Sequence, residues 1–362
     1  MRTNNVLKSI DLSQSKLSSF ALFSSLLFST TYTGEASATT LLKNEDTTVS
    51  LYARLRVLLQ YDNKEAKSST ANTPSPWQLR DNGSRVGVKG HYKLDKTQVY
   101  GRIELGTNID KDNEPLIFAR KAYIGVKGRF GKLQYGKQNA LIKDADDFDR
   151  SHRIGSTVHY TRNELNTKRP EHTIEYQYQW QDLAITSQLN LPRELDEQPS
   201  FRVGSKRLKL ASKDMDIGFG MSADYAPIKG ISLQLATQTA EYDLEGEYQI
   251  NLASVQWQLS KQLSAGGYIA RHQMSDELQH GTSYNMALGG RYKWHSKHRL
   301  YASVEYAQGA DDLEGGKELT YVIGNDFKIN KDLRIFAEMR QRTFDVDKDS
   351  EFRAALGFTY RF

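Results

Sequence analysis

A run of aspartates is the densest group of potential metal ligands in the sequence. Residues 144–149 read DADDFD and contain Asp144, Asp146, Asp147 and Asp149. Carboxylates at alternate positions suit Ca²⁺, a hard cation that binds oxygen. An EF-hand loop, however, needs glycine at its sixth position and glutamate at its twelfth. Counting from Asp144, this chain has Asp149 and Gly155 there, so the run does not predict an EF-hand.

Other residue types that catalyse reactions or bind metals form no convincing pattern. The chain has no cysteine, which excludes disulfides, thiolate metal sites and a cysteine nucleophile. His295 and His298 lie in one short turn, but two imidazoles without a third ligand more often form a solvated turn than a metal site. No serine lies in a G-x-S-x-G nucleophile elbow. The sequence therefore predicts no cofactor and no enzymatic activity.

The N-terminus has the three-part pattern of a secretory signal peptide. Basic residues precede an apolar run at 17–28 (LSSFALFSSLLF), and small residues follow at 36–38 (ASA). The run is short and interrupted by serine, whereas a membrane-spanning helix needs about 20 apolar residues. We expect residues 1–38 to be removed on export and residues 39–362 to form the folded domain.

The C-terminal residues 351–362 (EFRAALGFTYRF) alternate between apolar and polar side chains. One face would carry Phe352, Ala354, Leu356, Phe358, Tyr360 and Phe362, and the other Arg353, Ala355, Gly357, Thr359 and Arg361. A strand separates the two sets with a period of two, whereas a helix would mix them. Residues 49–59 alternate in the same way. Such strands fit a barrel with a lipid-facing outside and a polar inside, which also agrees with the mean hydropathy of −0.64.

Sixteen segments along the chain have this strand pattern. They lie near 47–61, 83–92, 98–107, 117–127, 131–138, 169–179, 182–191, 216–226, 231–242, 247–259, 263–274, 282–294, 299–309, 318–329, 333–344 and 351–362. Short polar turns and long connections alternate between them, as periplasmic turns and external loops do in transmembrane barrels. The sequence therefore predicts an all-β, antiparallel transmembrane barrel.

One of these segments, 247–259, changes its apolar phase. Tyr248, Ile250 and Leu252 fall on one face, but Val255 and Trp257 fall on the other. We expect a β-bulge here or a misplaced strand boundary.

The sequence resembles the Gram-negative general porins, which are trimeric, sixteen-stranded outer-membrane barrels. The similarity is strongest within residues 47–137, in the long segment that follows, and in the C-terminal strand ending at Phe362. Within the first region it rests on SLYARLRV, SRVGVKG (84–90), VYGRIELG (99–106) and ARKAYIGVKGRFGKLQYGKQ (119–138). The resemblance implies a water-filled channel for passive diffusion of small hydrophilic solutes and ions.

The resemblance also implies a basic wall inside the barrel that faces an acidic third external loop folded into the lumen. The matching wall positions are Arg54, Arg85, Arg120 and Arg169, and Arg102 and Glu104 of the third strand match positions that point into the lumen. The alternation supports this independently, because Arg54 shares the polar face with Tyr52 and Arg85 precedes the apolar Val86.

The candidate constriction loop is residues 139–168. It has about thirty residues without clear alternation, and loops of that length are usually functional or disordered. It lacks the Pro-Glu-Phe-Gly element that is frequent in the family. We expect its acidic side to be the aspartate run, Asp144, Asp146, Asp147 and Asp149, together with Glu104, and Arg150 and Arg153 to be further candidates. The wall arginines lead us to expect a weak preference for anions.

Several partners follow from the resemblance. The expected partners are further copies of the chain in a homotrimer, outer-membrane lipid or lipopolysaccharide, and small hydrophilic solutes. The barrel assembly machinery is a further partner, and it would recognise Phe362 with Tyr360. We expect small outward residues, Ala53, Gly101 and Gly125, at the trimer interface. We also expect Lys121 to face outward, either at an interface or beside anionic headgroups. The formal net charge of +5 is mild and predicts no nucleic-acid partner.

Two alternative functions remain open at this stage. A substrate-selective channel, for example for oligosaccharides, would need aromatic side chains along the lumen. Tyr123, Tyr135 and Tyr360 fall on the outward phase, whereas Tyr52 and Tyr100 fall on the inward phase. A structural or adhesive barrel is the second alternative, and it would have a filled interior, as eight-stranded barrels do and sixteen-stranded ones do not.

Overall fold

Sixteen strands form one closed antiparallel barrel in a computed structural model that describes residues 38–63, 75–111, 114–145, 169–345 and 350–362. The strands are β1 (Thr47–Asp62), β2 (Arg85–Leu94), β3 (Thr97–Thr107), β4 (Ile117–Gly128), β5 (Gly131–Lys137), β6 (Thr173–Trp180), β7 (Leu183–Asn190), β8 (Asp214–Ile228), β9 (Ile231–Tyr242), β10 (Gly246–Trp257), β11 (Leu263–Ser275), β12 (His280–Tyr292), β13 (His298–Asp311), β14 (Lys317–Lys328), β15 (Leu333–Phe344) and β16 (Glu351–Arg361). The predicted all-β, antiparallel barrel of sixteen strands is confirmed.

The barrel closes where the last strand pairs with the first. The ladder between β16 and β1 runs from Arg353↔Asp62 to Arg361↔Arg54, and Phe362 continues it through backbone hydrogen bonds with Ala53. Each of the sixteen barrel strands therefore pairs with a neighbour on both sides, which is what a sheet inside a membrane requires.

Within the described ranges, five short strands and one 3₁₀ helix lie outside this set. They are Thr39–Lys43, Trp77–Asp81, Arg193–Glu194, Ser200–Val203 and Lys206–Lys209, with the 3₁₀ helix at Leu141–Asp144. Trp77–Asp81 continues the line of β2 along β1. Among the described residues, no helix is long and apolar enough to cross a membrane.

The outer face of the barrel is apolar between two levels of aromatic side chains. Tyr61 and Trp77 pack together toward the long loops, with ring centroids 5.3 Å apart. Along β12, the outward Tyr284 and Tyr292 are eight residues apart, which is about 27 Å along a tilted strand. With a strand tilt of about 35–45°, this length corresponds to about 19–22 Å along the barrel axis, which is comparable with the apolar band of about 25 Å that a transmembrane barrel presents to lipid.

The change of phase at 247–259 has a cause that differs from the predicted bulge or boundary error. β10 pairs with both neighbours without a register shift. Tyr248 and Ile250 point inward and are buried, whereas Val255 and Trp257 point outward and are exposed. The half of β10 nearer the long loops thus buries its apolar side chains inside the barrel. The half nearer the short turns presents its apolar side chains to lipid.

A hairpin from the loop between β7 and β8 covers these inward apolar side chains. It consists of Ser200–Val203 and Lys206–Lys209. Phe201 of the hairpin stacks on Tyr248 with ring centroids 5.8 Å apart. Together they belong to an apolar inner cluster, whose largest members are Ile142, Phe201, Val203, Leu208, Leu210, Met215, Tyr242, Tyr248, Ile250, Leu252, Tyr268, Met274 and Leu313.

Polar contacts hold the hairpin at both ends. At its tip, the Ser205 hydroxyl donates to Asp345 Oδ2 at 2.8 Å. At its base, the Ala211 amide donates to Asp276 Oδ2 at 3.0 Å. The loop therefore lies along the inner rim of the barrel on the side of the long loops.

The segment predicted to be the constriction loop is described only at its start. Ile142 and Ala145 have no exposed surface and belong to the apolar inner cluster. Residues 146–168, with Asp146, Asp147, Asp149, Arg150 and Arg153, lie outside the described residues. The side chain of Asp144 is also outside the description.

A β-bulge in β4 reverses three predicted orientations. The register against β3 shifts between Glu104↔Lys121 and Leu105↔Ala119, so Arg120 is the extra residue. Beyond the bulge the phase is inverted, and Lys121 lies opposite the inward Glu104. Tyr123 lies beside the inward Tyr100 with ring centroids 6.4 Å apart. A Cβ at Gly125 would collide with the Tyr100 ring, so Lys121, Tyr123 and Gly125 do not face outward as predicted.

Replacing Ile250 by aspartate tests whether apolar packing holds the hairpin in place. Ile250 is fully buried in the apolar inner cluster, so a charge there is expected to release the hairpin because it cannot be solvated. Limited trypsin digestion should then cleave faster at Arg202, Lys206 and Arg207. Ile250→Val, which removes one methylene and costs about 0.5–1.5 kcal/mol, should keep the slow rate. Equal cleavage of both variants would contradict this packing.

Candidate functional site

Four neighbouring strands bring arginines together on the inner surface of the barrel. Arg54 on β1 lies directly opposite Arg85 on β2, and β3 and β4 contribute Arg102 and Arg120. With Arg169, which precedes β6, they form what we call the basic wall. These are the five arginines that the sequence predicted. Strand alternation points Arg54, Arg85 and Arg102 inward, whereas Arg120 lies at the bulge in β4 and Arg169 lies outside the strands.

The carboxylate of Glu104 on β3 lies at the centre of the basic wall and has no exposed surface. Its Oε2 is 2.8 Å from the Arg102 guanidinium and 3.5 Å from Arg85 Nε, and its Oε1 accepts from Arg120 Nε at 3.0 Å. Glu104 therefore compensates the arginines from within their group. The structure places it among the basic residues, not opposite them with the loop carboxylates, as the sequence had suggested.

Arg54 occupies a strongly positive environment. Its charged neighbours are Arg56, Arg85, Arg120 and Arg361. Its guanidinium donates to the carbonyl of Gly83 at 2.7 Å, and Gly83 adopts a φ of +82°. This backbone conformation favours glycine, and it occurs where β2 is separated from Trp77–Asp81. The interruption of the strand thus supplies a backbone acceptor for Arg54, which no carboxylate of the described residues contacts.

Arg169 completes the basic wall from outside the strands. The predicted strand 169–179 begins only at Thr173, because Pro170 cannot donate to a ladder and His172 has a φ of 52°. Burial, with the like charge of Arg120 nearby, lowers the pKa of Arg169 to about 10. The side chain therefore remains a cation at neutral pH.

Tyrosine hydroxyls bridge across three strands at four places inside the barrel. The first is Tyr52 on β1, whose ring passes over Gly87 on β2 so that its hydroxyl donates to Glu104 Oε2 at 2.8 Å. The other three bridges are Tyr100 to Gln134 at 3.0 Å, Tyr268 to Glu305 at 2.5 Å and Tyr301 to Glu338 at 2.5 Å. Each crosses a small residue on the strand between, namely Gly125, Ala287 or Gly324. These bridges fix the orientation of the acidic and amide groups on the inner surface.

Further arginines line the inner surface of β13 to β16, and the sequence analysis did not assign them to the site. Arg299 Nε and Arg334 Nη1 both donate to Asp326 Oδ2, at 3.0 and 3.1 Å. Nearer the long loops, Arg342 Nε lies 3.0 Å from Glu318 Oε1. Their alternation with Ile335 and Met339 was the available signal, because each arginine lies on the opposite phase from a lipid-facing residue.

The remaining predicted site residues lie at the end of the chain. Tyr360 and Phe362 both point outward at the side of the short turns, with ring centroids 5.4 Å apart. Among the described residues, no group of histidines and carboxylates is arranged to hold a metal ion.

Replacing Glu104 by glutamine should destabilise the barrel, because three arginines lose their shared counter-charge. Buried hydrogen bonds to charged groups contribute about 1.5–3 kcal/mol, and we expect a loss of that size in urea unfolding in lipid vesicles. Glu175→Gln is the control. Glu175 is a lumen carboxylate whose cationic partner, Lys132, lies at 3.4 Å, and its loss should cost about 1 kcal/mol or less. Equal losses in the two variants would contradict a central role for Glu104.

Solved structures with similar folds are outer-membrane proteins. An anion-selective porin from Comamonas acidovorans matches with a TM-score of 0.71 and 14% identity, covering 88% of this chain and 100% of that one. The trimer form of OmpT from Vibrio cholerae matches with a TM-score of 0.67 and 16% identity, covering 88% and 100%. At these identities the likeness concerns the fold.

Sequence comparison identifies the family. The major outer membrane protein P.IB of Neisseria sicca is 28% identical over 102 residues, and the match spans 27% of this chain and 28% of that protein. The sequence profile described as Gram-negative porin matches residues 24–347, which is most of the chain. Together with the closed barrel and its charged inner surface, this match establishes that the chain belongs to the Gram-negative porin family.

Proposed function

We propose that this outer-membrane porin is a water-filled channel through which small hydrophilic solutes and ions diffuse passively, with a weak preference for anions. The proposal includes that the protein catalyses no reaction. The observation that carries it is the basic wall on the inner surface, where three of the five arginines, Arg85, Arg102 and Arg120, share one carboxylate, Glu104.

The size and lining of the barrel support an aqueous channel. Sixteen strands leave an interior wider than side chains alone fill. The inner surface of β13 to β16 and β1 to β4 carries arginines, carboxylates and hydroxyls, which water solvates well. A polar solute in such a lumen keeps its hydration, so its passage is limited by size and by the local electric field.

The excess of positive charge in the basic wall supports the proposed preference for anions. A unit charge at 4 Å changes the energy of an ion by about 1 kcal/mol even in bulk water, which is about a fivefold change in its local population. Salt screens this field over a Debye length of about 8–10 Å. A narrow lumen therefore lies largely within reach of the wall.

We propose that the constriction loop, 139–168, supplies the acidic side of the channel through its aspartate run. The burial of Ile142 and Ala145 against inward side chains supports an inward course at the beginning of this loop. Held on opposite sides, the arginines and aspartates would create a transverse field that orients dipolar solutes.

The tyrosine rings on the inner surface bear on the alternative that the protein is a substrate-selective channel. Tyr52, Tyr100 and Tyr123 all line the inner surface, which an oligosaccharide channel would need. However, Arg102 lies over the Tyr52 ring at 4.8 Å and Lys132 over the Tyr100 ring at 5.8 Å. Rings covered by cations offer little surface for stacking sugars, so non-specific diffusion is favoured.

We further propose that the protein is a homotrimer whose interface includes β1 and β3. The trimer form of the Vibrio cholerae relative supports this assembly. Ala53 and Gly101 lie on the outer face and would allow close packing between barrels. Gly125 and Lys121 are not part of this interface, because both follow the inverted phase of β4.

The proposal also includes how the chain is exported and how the barrel is assembled in the outer membrane. Residues 1–38 would act as a signal peptide, and Phe362 with Tyr360 as the signal that the barrel assembly machinery reads. The outward orientation of both aromatic side chains leaves them accessible at the end of the last strand.

Replacing Arg85 and Arg120 together by glutamate tests whether the basic wall determines the ion selectivity of the channel. The reversal potential in a salt gradient should shift toward cations, with the anion-to-cation permeability ratio falling several-fold. The control is Lys229→Glu with Lys297→Glu, which makes the same charge change in exposed short turns and should leave the potential nearly unchanged. If the loop carboxylates line the channel, Asp146→Asn with Asp147→Asn should shift it toward anions. A potential unmoved by the arginine pair, in open channels, would contradict the basic wall as the selectivity element.

A tryptophan at Gly101 tests the trimer interface. Gly101→Trp should convert the detergent-extracted trimer to monomers, measured by light scattering, because the bulky ring would separate the barrels. Ala302→Trp places the same ring on the outer face of β13 and should leave the trimer intact. A wild-type protein that is monomeric after gentle extraction, or a trimer that tolerates Gly101→Trp, would contradict the proposal.

A further inference from the structure

Three arginines outside the basic wall lie on the inner surface at the short-turn ends of their strands. Arg299 and Arg334 are the second residues of β13 and β15, and Arg361 is the last residue of β16. An adjacent residue on each of these strands is apolar and exposed, so strand alternation points the arginines inward. We call these three residues the short-turn cluster.

Asp326 on β14 supplies one counter-charge to the short-turn cluster. Arg299 Nε and Arg334 Nη1 donate to its Oδ2 at 3.0 and 3.1 Å, and its side chain is only 3% exposed. Arg361 lies within electrostatic reach of both other arginines and of Asp326. Within the described residues, three guanidinium groups and one carboxylate leave an excess of two positive charges.

Arg361 has a hydrogen-bond donor that the described part of the chain does not use. Its Nε is buried and has no hydrogen-bond partner there. Two residues earlier on the same strand, the Thr359 hydroxyl accepts from Arg56 Nε at 3.1 Å, which leaves its O–H group able to donate. Because a buried donor without an acceptor is costly, an acceptor that binds between these groups is stabilised.

A small recess lies between the ends of β14, β15 and β16, next to these donors. Its lining includes the inward side chains of Lys328, Arg334, Thr359 and Arg361. Asp332 in the turn also lines it, and the charge of Asp332 offsets that of Lys328. The net positive charge of the recess therefore comes from the short-turn cluster.

We propose that the short-turn cluster binds a divalent oxyanion, such as sulfate or the phosphate group of a solute. The anion lies between Arg334 and Arg361, and the Thr359 hydroxyl donates a further hydrogen bond to it. Planar guanidinium groups match the oxygen atoms of such anions, and two negative charges balance the excess of the cluster. At the same distance, a divalent anion is attracted twice as strongly as a monovalent one.

The proposed site continues the basic wall around the inner surface. Arg361 lies directly opposite Arg54 on β1, so an anion that leaves the basic wall meets a cationic donor on the adjacent strand. The proposal rests on the proposed function, because a solute reaches the site through the open lumen. It adds a preferred class of solute, those that carry a divalent oxyanion, to a channel that otherwise discriminates weakly.

Isothermal titration calorimetry of the detergent-solubilised protein with sodium sulfate, at constant ionic strength, tests this site. The wild-type protein should bind sulfate at least about tenfold more tightly than the monovalent nitrate ion. Arg334→Gln with Arg361→Gln should weaken sulfate binding by about tenfold or more, because two charge-assisted contacts are lost. Arg334→Lys with Arg361→Lys keeps both charges without the planar fork and should give an intermediate affinity, so it tests the site even if the glutamine variant does not fold.

The matched control is Lys229→Gln with Lys297→Gln, which removes two positive charges from exposed short turns at the same end of the barrel. It should bind sulfate as tightly as the wild-type protein does. Equal weakening in the control and in the arginine variants would show only a general attraction of anions and overturn the site. Undiminished sulfate binding to the arginine variants, or equal affinities for nitrate and sulfate, would also overturn it. Calorimetry needs no ion current, so a failure of this site is distinguishable from a failure of the proposed channel.

Discussion

The closing ladder between β1 and β16 is the constraint on which the other features depend. Within a bilayer no water can satisfy open backbone groups, so a sheet is stable there only when its two edges pair. Once the ladder from Asp62↔Arg353 to Arg54↔Arg361 is formed, the inward and outward phases of every strand are fixed. Each side chain then faces either lipid or the interior, and a shift by one residue would exchange the two sets.

The closed barrel fixes the position of each strand, and this allows side chains of like charge to be held close together. Arg54 and Arg85 are directly opposed on neighbouring strands, an arrangement that repulsion would disperse on a flexible chain. Glu104 offsets part of the repulsion through Arg102, Arg120 and Arg85, and the Tyr52 hydroxyl holds Glu104 in place across Gly87. Among the described residues, the positive charge that remains on Arg54 faces the interior of the barrel. The hairpin at Ser200–Val203 and Lys206–Lys209 packs against the inward apolar side chains at the end of the barrel with the long loops.

The sequence predicted those features that follow from a period of two. The inward positions of Arg54, Arg85 and Glu104 follow directly from alternation with lipid-facing residues. Tyr123 was assigned to the wrong face because the bulge at Arg120 inverts the phase, and the bulge depends on pairing with β3. Segment 247–259 was misread for a different reason. Ile250 faces inward although it is apolar, because it packs against a hairpin about fifty residues earlier in the chain, and periodicity carries no information about such a partner.

The central claim is that arginines on the inner surface make an open channel mildly selective for anions. The most direct measurement is the zero-current reversal potential of the wild-type protein in a planar bilayer under a potassium chloride gradient, with ions of nearly equal mobility. The account predicts stepwise conductance and a potential whose sign corresponds to a modest excess of chloride permeability, decreasing as total salt rises and screening increases. A cation-selective potential, or folded barrels that conduct no ions, would contradict it.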